Sequence, residues 1–314
     1  MKKILVTGAN GFLGRQVLLP LRERGFEVHA VGRVLPPAEL ADLAVWHTAD
    51  LLQPESVRNL LRQLRPEGLM HLAWDTTPGT YWTNPTNLDW AAASLFLLSE
   101  FQRNGGRRVV AAGTCAEYDW TVNPLTEGQT PLRPASLYGS SKNAVREMLE
   151  AWAPHTGISW AWGRLFGVFG PYEKPQRLIP KTIAKLLEGK PVPFDPATSL
   201  RDFMDIRDAA DAFATLFDSP LAGAINIADG RPVSIRSVLN QVGDCLGARH
   251  LLRFGELAVD QSQPAELTAN TRRLNEELGW VSSHSLAERL AETSQWWRVQ
   301  LSSKEGEKNP KSSA

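Results

Sequence analysis

The segment KILVTGANGFLG, residues 3–14, decides the fold of this chain. It joins a short apolar run to Gly8, Gly11 and Gly14, and an amphipathic stretch follows. In the order strand, turn, helix, the first two glycines permit a tight turn that brings backbone N–H groups close to a pyrophosphate, and Gly14 lets the helix pack on the strand. The helix N-terminus adds partial positive charge toward the phosphates. The segment predicts a dinucleotide-binding turn; an ordinary strand-to-helix turn with incidental glycines is the alternative.

Outward from this turn, short apolar runs alternate with amphipathic stretches as far as residue 165. The apolar runs include FEVHAVG, LAVWHTA, GLMHLA, RRVVAAG and ISWAWGRL. Strands that alternate with helices predict a parallel sheet with right-handed crossovers and a ligand crevice at the carboxyl ends of its strands. We therefore predict an α/β fold, a doubly wound Rossmann parallel sheet with a smaller α/β C-terminal substrate lobe.

Proline-bearing stretches replace the regular alternation beyond Arg164, and they indicate where the second lobe begins. A strand and a helix between Arg201 and Phe217 are expected to rejoin the main sheet. The last residues are polar and lack an apolar period, which is typical of a disordered tail. The predicted boundaries are 1–165 with about 200–225 for the NAD(P)-binding Rossmann domain, 166–199 and 226–302 for the substrate-binding lobe, and 303–314 for the tail.

The composition is that of an ordinary globular protein of 314 residues, with 43% hydrophobic residues and 34 basic against 34 acidic side chains. This balance indicates neither nucleic acid nor an anionic membrane as a partner. No run approaches the roughly 20 apolar residues of a spanning helix, and the first apolar run is too short for a signal peptide. Cys115 and Cys245 have the spacing of neither a metal site nor a disulfide framework, so we expect no metal and a cytoplasmic location.

The end of the second predicted strand bears on the choice of nicotinamide dinucleotide. An acidic residue there accepts from the adenosine ribose 2′-OH, whereas an arginine accommodates a 2′-phosphate. The strand EVHAVG runs into Arg33 with no acid beside it, which favours NADP(H) and leaves NAD possible. Asp50 follows the third strand; it can accept from the adenine amino group or simply begin a turn.

Tyr138 and Lys142 are four residues apart, so on a helix they share one face. A phenol is a poor acid near neutrality until a neighbouring ammonium and a cationic nicotinamide favour its phenolate. The pair therefore predicts general acid/base chemistry beside the dinucleotide, with an ordinary surface pair as the alternative.

These residues together resemble the extended short-chain dehydrogenase/reductase family, in particular its nucleotide-sugar epimerase, dehydratase and reductase branch. The resemblance spans roughly residues 3–298 and rests on segments such as TGANGFLG, AAGTCAEY, PASLYGSSK and RLFGVFGP. It implies a catalytic triad of Thr114, Tyr138 and Lys142. It also implies cofactor contacts from Gly8, Gly11, Phe12, Leu13, Gly14, Arg33, Asp50, Leu51, Leu72, Ala73, Trp74, Asn87, Ala112, Tyr138 and Lys142.

Departures from the family pattern narrow the chemistry. Dehydratases of this branch carry an acid pair, or at least a glutamate, where this chain has Cys115 and Ala116. Without that carboxylate a C5 proton has no base, so we predict that the chain is no dehydratase. Glu117 is the nearest acid, and on a strand it would point to the face opposite Ala116. Cys115 lies one position away from the cysteine of epimerizing reductases and is interpreted as inert.

The diphosphate of a nucleotide sugar is bound by positively charged side chains, and arginine is the most suitable because its planar guanidinium can donate two hydrogen bonds to one phosphate. Arg201 matches a family position that contacts the substrate, and Arg177 and Arg272 are further candidates. The family commonly has an asparagine where this chain has Gly167. The segment WDTTPGTYWTNPTN, residues 74–87, follows the fourth strand, and its tryptophans, Trp74 included, either stack on the substrate or pack as a lid.

The function predicted from the sequence is NADP(H)-dependent reduction of the 4-keto group of a nucleotide-diphosphate (6-deoxy)hexose. A nucleotide-sugar 4-epimerase with recycled NAD is the alternative, and a non-catalytic NADP(H)-binding sensor is a third hypothesis. The resemblance also implies a homodimer built through a four-helix bundle that includes the helix bearing Tyr138.

Overall fold

A computed structural model describes residues 2–261 and 263–308 of the chain. Its contacts divide the chain into two compact units. The first unit comprises Met1–Phe166, Ile206–Ala228 and Ala269–Val281, and the second comprises Gly167–Asp205, Asp229–Thr268 and Ser282–Ala314.

Strands and helices alternate through most of the chain. In chain order the strands are β1 (Lys3–Thr7), β2 (Glu27–Gly32), β3 (Val45–Thr48), β4 (Gly68–His71), β5 (Arg108–Thr114), β6 (Ser159–Leu165), β7 (Gly167–Phe169), β8 (Val192–Phe194), β9 (Leu200–Asp205), β10 (Gly223–Ile227), β11 (Pro232–Ser234), β12 (Leu252–Phe254) and β13 (Glu266–Leu267). The α-helices are α1 (Gly14–Glu23), α2 (Pro54–Leu64), α3 (Thr86–Arg103), α4 (Leu137–Trp152), α5 (Leu178–Leu187), α6 (Ile206–Asp218), α7 (Ile235–Leu246) and α8 (Leu286–Lys308).

A seven-stranded sheet organises the first unit, with the strand order β10-β6-β5-β4-β1-β2-β3. Every pairing in it is parallel. Ile4, Leu5 and Val6 of β1 are at most 1% exposed, as expected for a central strand covered on both faces. Helices α1 and α6 pack together, as do α3 and α4. The predicted doubly wound Rossmann fold is confirmed.

The strand that completes this sheet is not the one predicted. Residues Leu200–Asp205 form β9, which pairs with β7, β11 and β13 in a second sheet, whereas β10 joins β6 at the edge of the main sheet. The burial of the two strands explains the difference. The last three residues of β10 are buried, which suits a sheet covered on both faces, while β9 has half-buried residues along its length. Of the predicted strand and helix, the helix α6 belongs to the first unit and the strand β9 belongs to the second.

The second unit has its own hydrophobic core. Side chains of α5, α7 and α8 pack together there, with Phe169, Leu239 and Leu290 at most 1% exposed. A short parallel pair, β8 with β12, lies in the same unit. It therefore has the mixed α/β character predicted for the smaller lobe.

Helix α8 ends at Lys308, so the backbone of residues 303–308 is helical where the sequence predicts a tail. Lysine and glutamate, which are frequent in this stretch, are good helix formers. The rest of the predicted tail, 309–314, lies outside the described residues. In the part of the chain that the structure describes, no helix is both long and apolar enough to cross a membrane, and no group of three metal-ligating side chains occurs.

Candidate active site

The glycine turn between β1 and α1 is shaped by close backbone approach. Gly8 has φ +68°, and a Cβ on it would lie 2.8 Å from the backbone nitrogen of Ala73. A Cβ on Gly14 would lie 2.1 Å from the carbonyl oxygen of Gly8. The N–H of Gly11 donates to that same carbonyl at 2.8 Å, which closes the turn. Helix α1 starts at Gly14, so its unsatisfied N–H groups lie beside the turn, and these features fit a pyrophosphate.

Apart from Asn87 on α3 and Tyr138 and Lys142 on α4, the predicted cofactor residues lie at or just after the carboxyl ends of five adjacent strands. Because such ends meet at one edge of a parallel sheet, the positions lie along one crevice. They are Gly8, Gly11, Phe12, Leu13 and Gly14 after β1, Arg33 after β2, Asp50 and Leu51 after β3, Leu72, Ala73 and Trp74 after β4, and Ala112 near the end of β5.

A buried chain of hydrogen bonds fixes the gap between β1 and β4. The Ser94 hydroxyl donates to the Trp90 carbonyl, so Ser94 Oγ accepts from His71 Nε2 at 2.8 Å. His71 Nδ1 then accepts from the Thr7 hydroxyl at 2.8 Å, and Thr7 Oγ1 accepts from the N–H of Ala73. Burial, followed by the charge of Lys142, lowers the pKa of His71 to about 3. His71 is therefore neutral and serves packing.

Arg33 is exposed just beyond β2, and Asn10 joins its loop to the glycine turn. The Asn10 side-chain N–H donates to the Val34 carbonyl at 3.3 Å. Asp50 Oδ1 accepts from the N–H of Leu52 at 3.1 Å, which is the turn-forming role given above as the alternative for this residue.

The structure brings Thr114, Tyr138 and Lys142 together within the first unit. Thr114 ends β5, and the other two lie one turn apart on α4. The Thr114 side chain lies near enough to the Tyr138 hydroxyl to lower the pKa of the phenol. Lys142 Nζ donates to the carbonyl of Ala112, two residues before Thr114, at 2.9 Å. Gly139 permits this approach, since a Cβ there would lie 2.3 Å from the Ala116 carbonyl.

Burial shifts the pKa of both titratable groups of this triad. It raises the pKa of Tyr138, with a smaller contribution from Tyr81, while the nearby Thr114 side chain lowers it. Burial lowers the pKa of Lys142 to about 7, and the negative charge of Glu117 opposes the shift. Displaced pKa values cluster at functional sites, and the shift of Lys142 brings its titration into the neutral range, whereas the shift of Tyr138 keeps the phenol protonated.

Aromatic rings surround the phenol of Tyr138. Ring centroids lie 5.0 Å from Tyr138 for Tyr81, 5.8 Å for Trp82 and 6.4 Å for Trp74, each in an edge-to-face arrangement. The N–H of Tyr138 also donates to the Trp82 carbonyl at 3.1 Å. The segment that follows β4 therefore lies against the tyrosine as a wall of the site.

Asn87 anchors this wall. Its side-chain N–H groups donate to the carbonyls of Tyr81 and Asn84, and its Oδ1 accepts from Trp74 Nε1 at 2.8 Å. Asn87 is only 2% exposed. Both amide hydrogens are thus bonded within the loop, and only Oδ1 has capacity left for a cofactor.

Glu117 lies in a one-turn 3₁₀ helix after β5, so the expectation that it points away on a strand is wrong. Thr114 is the N-cap of this 3₁₀ helix, so β5 ends at Thr114 and Glu117 is no longer part of a strand. Glu117 Oε1 accepts from the N–H of Thr114 at 2.9 Å and from Trp162 Nε1 at 2.8 Å, and Oε2 accepts from Arg164 Nε at 2.7 Å. Its buried carboxylate therefore fixes the backbone of Thr114.

With this geometry in hand, the chain can be compared with known proteins. The model of the NAD dependent epimerase/dehydratase family matches residues 4–228. The chain belongs to this family. It is 26% identical to a UDP-glucose 4-epimerase of Corynebacterium glutamicum, over 90% of this chain and 92% of that protein. It is 26% identical to the dTDP-6-deoxy-L-talose 4-dehydrogenase (NAD(+)) of Aggregatibacter actinomycetemcomitans, over 76% of this chain and 88% of that protein.

Solved structures of the family share the fold. The crystal structure of a UDP-glucose 4-epimerase from Thermotoga maritima with UDP-glucose superimposes with a TM-score of 0.86 at 24% identity, covering 95% of this chain and 99% of that one. This likeness confirms the Rossmann architecture that the sequence predicts.

The candidate substrate residues of this family member are distributed over both units. Arg272 lies in the first unit, is exposed, and has Glu276 and Glu277 at 3.8 and 3.9 Å. Arg177 and Arg201 lie in the second unit, where both are half-buried. Arg201 donates to the carbonyl of Leu200 at 2.8 Å.

Gly167 stands where the family commonly has an asparagine, at a close approach of two strands. A Cβ at this position would lie 2.6 Å from the carbonyl oxygen of Asp202, on the strand that β7 pairs with. The close approach of these two strands leaves no room for a side chain. A side chain at Gly167 would therefore require the two strands to move apart.

Sequence reasoning missed Arg164 and Trp162, the partners of Glu117. Both lie on β6, where the register places Arg164 opposite Gly113. A Cβ on Gly113 would lie 2.0 Å from Trp162 Nε1 and 2.7 Å from Glu117 Oε1. An arginine inside the apolar strand WAWGRL was the available signal, since buried charges are paired.

Proposed function

We propose that this chain is an NADP(H)-dependent oxidoreductase that reduces the 4-keto group of a nucleotide-diphosphate (6-deoxy)hexose. The observation that carries the proposal is the convergence of Thr114, Tyr138 and Lys142 in one buried site. The glycine turn, shaped to exclude any Cβ at Gly8 and Gly14, supports a dinucleotide beside it. When bound, the nicotinamide supplies the hydride.

The three side chains divide the remaining work. Tyr138 holds the proton that the substrate carbonyl oxygen requires, since its raised pKa keeps the phenol protonated. Thr114 Oγ1 accepts from the N–H of Ala116 at 3.2 Å, and its own hydrogen remains available for Tyr138 or the carbonyl oxygen. Lys142 places a positive charge beside the phenol and lowers the energy of the phenolate left after proton transfer.

The surroundings of Glu117 argue against elimination chemistry. Both of its oxygens already accept hydrogen bonds, and the carboxylate is 0% exposed and ion-paired with Arg164. Cys115 and Ala116 supply no carboxylate. A dehydratase requires a base for the C5 proton, and this site holds none that is available.

The preference for NADP(H) rests on Arg33. Its side chain is exposed at the end of β2, where a 2′-phosphate would lie. The 4-dehydrogenase relative carries NAD(+) in its name, so NAD is the competing cofactor. Arg33→Ala is expected to raise KM for NADPH at least tenfold, roughly the loss of one charge-assisted contact, and to leave KM for NADH unchanged. Equal effects on both cofactors would contradict the assignment.

A nucleotide-sugar 4-epimerase is the second candidate, favoured by the similarity to UDP-glucose 4-epimerases. The same proton relay serves both reactions, because an epimerase also passes through a 4-ketone. The two differ in the fate of the reduced cofactor: a reductase consumes it, whereas an epimerase returns it to its starting state.

The test is a screen of GDP-, dTDP-, UDP- and CDP-linked 4-keto-6-deoxyhexoses with NADPH or NADH, followed by absorbance at the nicotinamide band. Matched reactions offer UDP-glucose without added cofactor and are examined for UDP-galactose. Steady loss of absorbance supports the reductase, and sugar interconversion without loss supports the epimerase. Tyr138→Phe is the control, and turnover at the wild-type rate in this variant would overturn the catalytic assignment. If the wild-type protein binds the cofactor but turns over none of these sugars, the remaining hypothesis is the non-catalytic sensor.

We also propose a homodimer formed by α3 and α4 of each protomer. These helices pack together, and each presents an exposed apolar side chain, with Leu88 60% and Met148 54% exposed. Light scattering coupled to gel filtration is expected to give twice the chain mass, and Met148→Glu is expected to give the monomer. A monomeric wild type would contradict the proposal.

A further inference from the structure

Trp74 links the catalytic lysine to the loop that walls the site. Lys142 Nζ lies 4.0 Å from the centroid of the Trp74 ring, well inside the range of a cation–π contact. On its edge, Trp74 Nε1 donates to Asn87 Oδ1 at 2.8 Å. One side chain therefore contacts the ammonium with its face and the loop anchor with its N–H.

The loop that Asn87 anchors also contacts the backbone of Tyr138. Asn87 donates to the Tyr81 carbonyl at 2.7 Å, and the neighbouring Trp82 carbonyl accepts from the N–H of Tyr138 at 3.1 Å. Trp74 thus joins Lys142 to the backbone of Tyr138 by a second route, in addition to the turn of α4 that separates them. Both residues of the proton relay are fixed to the same indole.

The charges facing Lys142 explain why the ring matters. The side chain is 3% exposed and, among the described residues, forms no ion pair. His71 of β4 is neutral, and the carboxylate of Glu117, after β5, is bonded to Arg164. On α4 itself, Tyr138 is a protonated phenol. The remaining charge is Arg146, one turn further along α4, which is paired with Glu147 and Glu150.

A buried ammonium that lacks an ion-pair partner is stabilised by weaker interactions, with carbonyl dipoles and with the faces of aromatic rings. The Ala112 carbonyl supplies one hydrogen bond, the charge of Glu117 also favours the ammonium, and the electron-rich face of the indole adds a direct contact. We propose that Trp74 is a positioning residue that keeps Lys142 protonated and oriented toward Tyr138. The proposal rests on the proposed function for the role of Lys142, but the contact itself can be measured without substrate.

Three variants separate the ring face from the hydrogen bond. Trp74→Phe retains the face and loses the N–H, Trp74→Leu loses both, and Asn87→Ala retains the face while removing the acceptor. Trp74→Met is a second ringless variant, to be used if Trp74→Leu unfolds. Thermal unfolding followed by circular dichroism shows which variants remain native.

The measurement is the pKa of Lys142, from the ¹³Cε resonance of protein labelled with ¹³C-lysine. The resonance is assigned by its loss in Lys142→Met. Loss of the ring is expected to lower the pKa of Lys142 by about one pH unit in Trp74→Leu or Trp74→Met. Trp74→Phe and Asn87→Ala are expected to shift it by no more than about a third of that, since both keep an aromatic face.

Catalysis provides the second measurement. Because the relay needs a protonated Lys142, the alkaline limb of the pH dependence of kcat is expected to move to lower pH by the same amount in the ringless variants. Equal pKa values in wild type and Trp74→Leu, or equal shifts in Trp74→Phe and Trp74→Leu, would overturn the inference. A shift seen by NMR in a protein that turns over no ketosugar would sustain the inference and refute the proposed function.

Discussion

Two buried cations of the first unit, Arg164 and Lys142, are held in opposite ways. Arg164 is 2% exposed and has the carboxylate of Glu117 at 2.7 Å and the hydroxyl of Tyr118 at 2.9 Å. Lys142 is 3% exposed and has a carbonyl oxygen and an indole face, with no ion pair among the described residues. The pKa of Arg164 is raised by its partners, whereas burial lowers the pKa of Lys142 to about 7.

This difference indicates that Arg164 carries a structural charge, whereas the proposed function gives the charge of Lys142 a chemical role. A buried ion pair with every donor satisfied has a fixed charge, and removing one partner leaves the other uncompensated. A buried ammonium without a counterion has a pKa near neutrality, so the charge that it offers to a neighbouring phenol depends on its surroundings. Arg164 and Glu117 therefore hold Thr114 in place, and the proposed function gives Lys142 a part in the reaction that this positioning serves.

The largest effect expected is on the rate, from the unpaired cation. Lys142→Met should lower kcat by about 10²–10⁴-fold, the range for losing general acid/base assistance. The fold should survive, because the substitution replaces a poorly solvated amine by an apolar chain of similar length. Steady-state kinetics together with thermal unfolding checks both statements, and a variant that loses stability instead of rate would reverse the roles assigned to the two cations.

The second effect falls on stability, from the paired cation. Arg164→Met leaves the fully buried Glu117 without its counterion, and breaking such a pair costs about 3–5 kcal/mol in free energy of unfolding. Denaturant unfolding measures it. The control is the double variant Arg164→Met with Glu117→Met, which removes both charges and should recover part of the loss. If the single variant is as stable as wild type, Glu117 is not held by this pair.

The third effect is the pH dependence of stability. Folding lowers the pKa of Lys142 from 10.5 to about 7, so between these values the unfolded chain binds a proton that the folded chain does not. Stability should therefore rise with pH across this window, by about 1.4 kcal/mol per pH unit from this group. The loss is complete once the pH has fallen below about 7, where the folded and unfolded chains both bind the proton.

Subtracting the unfolding free energy of Lys142→Met isolates this contribution, because other titrating groups are common to both proteins. Denaturant unfolding at several pH values between 7 and 10 provides the measurement. A difference that stays flat with pH would show that Lys142 titrates normally in the folded protein.

The sequence pointed to Lys142 and missed the pairing of Arg164 with Glu117, and the reason is physical. The glycine turn and the pair Tyr138–Lys142 are local patterns, since turn geometry and the helical repeat place their members within a few residues. Glu117 and Arg164 are 47 residues apart and meet only because β5 and β6 pair in one register. Trp74 and Lys142 meet through the packing of α4 on the sheet, which no local pattern encodes.

The fold shows the same limit. The alternation of strands and helices predicted the parallel sheet, because periodicity reports burial along one element. It led to the wrong prediction that the strand near Arg201, β9, completes that sheet, whereas β10 does so. Strand pairing depends on partners that are distant in the sequence. The expected burial of β9 and β10 differs by only a few side chains, so the sequence pattern hardly distinguishes which of them pairs with β6.

The smallest effect tests how far the structural side extends from the site. Tyr118 accepts from Arg164 and donates to Asn226 Oδ1 at 2.8 Å, at the end of the network remote from Thr114. Tyr118→Phe keeps the ring that Arg164 lies over and removes only the hydroxyl, so it should cost about 1–3 kcal/mol. Because the ion pair and Thr114 remain intact, kcat and its alkaline limb should match wild type. A shifted limb would mean that the charge of Arg164 reaches Lys142 and that the two cations are coupled.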